Sequence, residues 1–150
     1  MDKRTKDLII FIASGFSISK YVPAPGTVGS LMALIIYLFL PTNPTFYWVF
    51  LMSIIIFAGV VSHYAEKILQ EEDASTIIID DICGFFVCMA FLPKNILLII
   101  IGFVLYRYFD VKKVYPIKKA EVISGGIGII LDDIMAGIFT NLILHILHWL

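Results

Sequence analysis

The chain has 150 residues, about the length of one domain, of which 60% are hydrophobic and only 15% charged, where a soluble domain is nearer half apolar and a quarter charged. Its mean hydropathy of +0.96 excludes a disordered chain, two cysteines are too few for a disulfide scaffold, and a formal net charge of −1 gives no electrostatic ground for nucleic-acid binding. What remains is a small polytopic membrane protein, expected to form a single all-α domain over residues 1–150.

In chain order, apolar runs cover residues 8–18, 28–40, 46–61, 77–92, 96–109 and 127–150. None alternates with period two, so helices are expected rather than a β-barrel. A spanning helix needs roughly 20 residues, which only the last run reaches unaided; the middle runs approach it with their flanks. The first run, 11 residues long, suits an interfacial or re-entrant helix. Five spans are therefore expected behind it. Pro41-Thr-Asn-Pro44 and Pro93-Lys-Asn95 break the chain sharply and predict two tight helical hairpins. If those two turns face outward, 10 of the 11 Lys and Arg residues fall on the inner side and only Lys94 outside. This positive-inside bias puts the longer polar connections, residues 19–27, 63–76 and 110–126, in the cytoplasm. Tyr37, Tyr47, Trp48, Tyr106, Tyr108, Tyr115 and Trp149 lie mostly near run ends, as in an aromatic belt.

Acidic residues inside apolar runs are costly and usually functional. Asp80 and Asp81 open the fourth run, Asp132 and Asp133 the last, and Asp110 closes the fifth, three residues after Arg107. The topology gathers all five at cytoplasmic helix ends, where helix dipoles favour the four in first turns. Clustered carboxylates need a counter-charge, and hard oxygen ligands without cysteine or histidine select Mg²⁺, Mn²⁺ or Ca²⁺ over zinc. Arg107, Lys112 and Lys113 supply an anion-binding half, Arg as a bidentate fork and Lys as a point charge. A metal beside phosphate-binding cations at a membrane surface points to phosphoryl chemistry on a lipid headgroup. Two glycine segments fit that picture: Pro23-Ala-Pro-Gly-Thr-Val-Gly-Ser30, whose backbone N–H groups with Thr27 or Ser30 suit an anion, and Gly125-Gly-Ile-Gly128, where Gly125 and Gly126 do the same. Either stretch equally suits close helix packing. His63 precedes the acidic stretch, His145 and His148 fall near the opposite face, and Cys83 and Cys88 read as small buried apolar residues. Two aspartates at a helix start occur twice, in Asp80-Asp81-Ile-Cys-Gly84 and Asp132-Asp133-Ile-Met-Ala-Gly137.

Together these motifs resemble the phosphatidylglycerophosphatase A family, over about residues 11–140. The segments carrying the resemblance are Ala13-Ser-Gly-Phe16, Pro23-Ala-Pro-Gly-Thr-Val-Gly-Ser-Leu31, Ile77-Ile-Ile-Asp-Asp-Ile-Cys-Gly84, Tyr106-Arg-Tyr-Phe-Asp110 with Lys113 and Pro116, and Gly125 through Gly137. The resemblance implies a Mg²⁺-dependent membrane phosphatase that converts phosphatidylglycerophosphate to phosphatidylglycerol in phospholipid biosynthesis. It implies Asp80, Asp81, Arg107, Asp110, Lys113 and Asp133 as catalytic residues, and Asp80, Asp81, Asp132 and Asp133 as metal ligands. An aspartate would either activate water or attack phosphorus itself, and the sequence leaves both open. The chain departs from the family pattern in having Asp81 for a glutamate and Val114 for a proline. The alternative from another class is a cation transporter or channel using the helix-end aspartates.

Overall fold

A computed structural model describes residues 1–71, 74–113, 115 and 126–149, with backbone alone for 126–129. The described residues form six helices and no strand: α1 (Lys3–Ala13), α2 (Pro25–Phe39), α3 (Pro44–Leu69), α4 (Ile79–Cys88), α5 (Ile96–Lys112) and α6 (Gly126–Trp149), with a 3-10 turn at Ile18–Tyr21. The helix starts follow local chemistry. Asn43 accepts from Phe46 N at 3.0 Å and Asn95 from Leu97 N at 2.8 Å, each capping a first turn, and Pro25 and Pro44 sit where a helix needs no N–H. Gln70 and Lys113 end α3 and α5 in the left-handed conformation. Both proline-marked breaks fall between helices, as expected.

α4 is the hub. Every residue from Ile79 to Cys88 is buried, with α2, α3, α5 and α6 packed around it. Its closest neighbour is α6, and two glycines make that approach possible. A Cβ at Gly137 would strike the Gly84 carbonyl oxygen, and one at Gly84 would lie 2.7 Å from the Asp133 carbonyl oxygen. Small residues at a helix crossing are how helices pack tightly without a hydrophobic driving force between them. The repeated Asp-Asp motif acquires a physical meaning here: in each copy a glycine follows the second aspartate by three or four residues and marks the crossing.

Two of the described helices reach by themselves the length expected of a span. α3 and α6 are long and apolar enough to cross a membrane. Only 28% of the apolar stretch of α3 and 39% of that of α6 is buried, and α3 leaves Trp48, Val49, Ile56 and Val60 more than half exposed. So much exposed apolar surface fits a membrane-associated bundle. The remaining helices are shorter. α4, with 10 residues, is about 15 Å long against roughly 30 Å of bilayer hydrocarbon. The apolar run over 77–92 does not continue as helix, because after Cys88 the chain turns irregular while Met89, Ala90 and Leu92 stay buried. α1 packs along α3, and its Ala13 carbonyl accepts from Ile78 N at 2.9 Å, tying it to the start of α4.

The irregular stretch is held by side chains from other helices. Asn141 Nδ2 donates to the carbonyls of Cys88 and Ala90 at 2.9 Å each, and His145 Nε2 lies 3.3 Å from Ala90 O. Tyr47 Oη donates to Phe86 O at 2.7 Å and Tyr37 Oη to Leu92 O at 3.3 Å. Backbone away from water has to be satisfied inside the protein, which is why Tyr37, Tyr47 and His145 are built into the structure here. The aromatic-belt expectation therefore fails for Tyr37, Tyr47 and Tyr106, which are 2%, 6% and 0% exposed. Cys83 and Cys88 are buried free thiols, as expected.

Candidate active site

The starts of α2 and α4, the end of α5 and a point about two turns into α6 meet around a cleft of about 270 Å³, so Asp132 and Asp133 lie beyond the first turn in which they were expected. Asp80, Asp81, Arg107, Asp110, Lys113, Asp132 and Asp133 all line it, together with Pro25 and Gly26. Oxygens of Asp81, Asp110 and Asp133, one from each of α4, α5 and α6, lie within 4.8 Å of one another. This grouping departs from the expected ligand set of two adjacent pairs. Successive residues of a helix point about 100° apart, and Asp81 and Asp133 are the members of each pair whose oxygens lie beside Asp110. Asp80 instead accepts from the N–H of Asp81 at 2.9 Å through Oδ1, and Asp132 pairs with Lys113 Nζ at 2.9 Å. Asp110, expected as a catalytic residue but not as a ligand, completes the trio from the end of α5.

The cations sit among these acids. Arg107 Nη1 bridges Asp81 and Asp110, the latter one turn along its own helix. The same nitrogen donates to Ser30 Oγ at 3.3 Å, and Ser30 Oγ donates to Gly26 O at 3.0 Å. Ser30 is fully buried and sits beneath Arg107, whereas Thr27 lies half-buried in the first turn of α2. Gly26 allows α2 to come this close, since a Cβ there would lie 2.7 Å from both carboxylate oxygens of Asp81. The glycine-containing first turns of α2 thus allow close packing against the acid–arginine pair. Gly126 opens α6, while Gly125 and Val114 lie outside the described residues. His63 is not among the residues lining the cleft.

Tyr106, expected in an aromatic belt, packs against the acids instead. Its side chain is fully buried and its hydroxyl lies 3.0 Å from Asp133 Oδ1 and 3.2 Å from Asp81 O. The signal available was helical spacing: Tyr106 and Asp110 are four residues apart and share a face of α5.

The donor set suits a hard divalent cation. Three carboxylates converge from three helices, no cysteine or histidine joins the group among the described residues, and Arg107 Nε is buried without a hydrogen-bond partner beside them. Fold and site together define the class, an all-helical, membrane-type protein with an oxygen-donor, phosphate-compatible cleft at one end of its bundle. The chain belongs to the phosphatidylglycerophosphatase A family, whose model matches residues 11–148. Among its relatives, the phosphatidylglycerophosphatase A of Escherichia coli K12 is 31% identical over 92% of this chain and 83% of its own length. That of Haemophilus influenzae is 28% identical over 95% and 90%. A Bacteroides thetaiotaomicron protein provisionally named phosphatidylinositol-3-phosphatase is 30% identical over 98% of both chains. No solved structure matches the chain. The protein is thus an enzyme, a lipid phosphatase of the phosphatidylglycerophosphatase type, and this displaces the cation-transport alternative.

Proposed function

We propose that the protein hydrolyses phosphatidylglycerophosphate to phosphatidylglycerol and phosphate in phospholipid biosynthesis, in a Mg²⁺-dependent reaction at the cytoplasmic face of an inner membrane. The observation that carries this reading is the convergence of Asp81, Asp110 and Asp133 beside Arg107 and Lys113 in one cleft. Those three carboxylates would hold Mg²⁺, with Asp80 and Asp132 at the edge of the same acidic surface. When bound, the ion supplies Lewis-acid polarisation of the phosphomonoester. The guanidinium of Arg107 offers two parallel N–H donors to phosphoryl oxygens, and Lys113 adds a point charge at the rim. Both stabilise charge that grows on the phosphoryl group as its ester bond breaks. Ser30 and Gly26 hold Arg107 at its place, and the first turn of α2, with Thr27, offers backbone N–H groups at the cleft edge. The lipid tails remain in the bilayer while the headgroup enters the cleft.

In this reading α2, α4 and α5 cross the membrane along with α3 and α6, each short helix completed by its flanking segments, and α1 lies at the interface. Tags at Asn43 and Asn95 are then reached from outside the cell and tags at Gln70 and Lys118 from the cytoplasm; mixed labelling within either group contradicts the five-span arrangement.

The direct test is phosphate release by detergent-purified protein from phosphatidylglycerophosphate and, in parallel, from phosphatidylinositol 3-phosphate. Release from the first substrate, abolished by chelator and restored by Mg²⁺ but poorly by zinc, supports the proposal. Release from the second substrate alone overturns the substrate assignment, and full activity in chelator overturns the metal.

A further inference from the structure

We infer that Tyr106 is a positioning residue, whose phenol fixes the Asp133 carboxylate in the orientation in which it joins Asp81 and Asp110. The inference rests on the metal-site reading above and concerns a side chain that the proposed chemistry does not use directly.

The hydroxyl sits where α4, α5 and α6 meet, with no solvent exposure, 3.0 Å from Asp133 Oδ1 and 3.2 Å from the carbonyl oxygen of Asp81. A phenol has one proton to donate. Of its two acceptors, the carboxylate forms the stronger, charge-assisted bond, so the phenol donates to Asp133. One oxygen of that carboxylate is thereby fixed, and the lone pairs of the other stay available, since a carboxylate offers about four acceptor positions. The bond crosses from α5 to α6, so it links two of the three helices that supply the acid trio.

The surrounding structure is shaped around this hydroxyl. A Cβ at Gly84 would collide with Tyr106 Oη and crowd the Asp133 backbone, so glycine at 84 admits the phenol and the α6 backbone together. The ring is held edge-on by Phe85, with centroids 5.9 Å apart. Phenylalanine at 106 would fill the same volume. What tyrosine adds is one donor, aimed at one carboxylate of the trio. An outer hydrogen bond of this kind typically changes metal affinity by about 10- to 100-fold.

The test uses the full-length, detergent-purified chain and Mn²⁺ alone as the probe, with free Mn²⁺ counted by electron paramagnetic resonance. Tyr106→Phe weakens Mn²⁺ binding about tenfold. The Mg²⁺ concentration for half-maximal phosphate release rises by the same factor, while KM for the lipid and the rate at saturating Mg²⁺ stay near wild type. Tyr106→Met, which fills the space without a hydroxyl, gives the same weakening. In an Asp133→Asn background, adding Tyr106→Phe produces no further loss of Mn²⁺ binding, because the phenol acts through that carboxylate. Wild-type Mn²⁺ binding in Tyr106→Phe, with binding weakened in Asp133→Asn, overturns the positioning role and leaves the metal site standing. Unchanged binding in Asp133→Asn overturns the metal site itself.

Discussion

At one end of the bundle, where α2 and α4 begin and α5 ends, buried Asp80, Asp81, Asp132 and Asp133 face Arg107 and Lys113 across a polar cleft. At the other end, where α4 stops and its chain turns irregular, the groups holding the backbone are Tyr37, Tyr47, Asn141, His145 and the ammonium of Lys94. That end also has a cleft, of about 320 Å³, lined by Pro41, Pro44, Phe91 and Pro93 among others, and among the described residues no acidic side chain lines it. Both ends have to satisfy polar groups away from water, and they do so with different chemistry. The Asn141 amide and the two phenols are committed to backbone carbonyls, a job that neutral side chains perform without bringing in a buried charge. The acidic end keeps charges whose partners are one another, an expensive arrangement for mere stability. Costly charge gathered in a cleft is the signature of a working site, whereas the opposite end is construction.

Substitutions at the two ends should therefore separate activity from stability. The largest effect is expected for Asp81→Asn, which removes a charge while keeping size: phosphate release falls on the order of 10²–10³-fold with normal membrane insertion, measured against matched protein levels. Arg107→Lys comes next, because it keeps the charge and loses the bidentate fork. It lowers activity about tenfold, whereas Lys119→Ala stays close to wild type in the same assay. At the opposite end the readout changes. Asn141→Leu removes the amide donor shared by the Cys88 and Ala90 carbonyls and lowers unfolding stability by about 1–3 kcal/mol, with activity per folded molecule retained. Lys94→Met is the mildest. The ammonium donates to Leu38 O and Leu40 O at the end of α2 and lies 5.4 Å from the Tyr37 ring centroid, and its loss costs below about 1 kcal/mol in thermal or denaturant unfolding. Equal loss of activity from changes at both ends would erase the distinction.

The same contrast explains what could be read from the chain. Residues that announce themselves by cost were legible: the aspartates in apolar runs, Arg107 one turn before Asp110, and the prolines that break helices. The hairpin breaks at Pro41–Pro44 and Pro93–Asn95 follow directly from proline chemistry. What stayed hidden depends on rotation and on distant partners. Whether Asp80 or Asp81 faces the centre is a matter of about 100° of helix phase, which the packing of α4 decides. The early end of α4 is invisible in an apolar run over 77–92, because the groups that allow the backbone to leave the helix, Asn141 and His145, lie about fifty residues away. Tyr37, Tyr47 and Tyr106 near run ends are compatible with an interfacial belt, and only the neighbouring helices show that each hydroxyl has an internal acceptor.

The central claim is that one carboxylate from each of α4, α5 and α6 acts together, rather than two adjacent pairs. The most direct measurement is phosphate release from phosphatidylglycerophosphate at saturating Mg²⁺ by Asp110→Asn and Asp80→Asn, side by side at matched protein levels. The geometry predicts that Asp110→Asn is as damaging as Asp81→Asn. Asp80→Asn, which keeps an acceptor oxygen for the Asp81 N–H, is predicted to retain most activity. The reverse result, with Asp80→Asn inactive and Asp110→Asn near wild type, would contradict it.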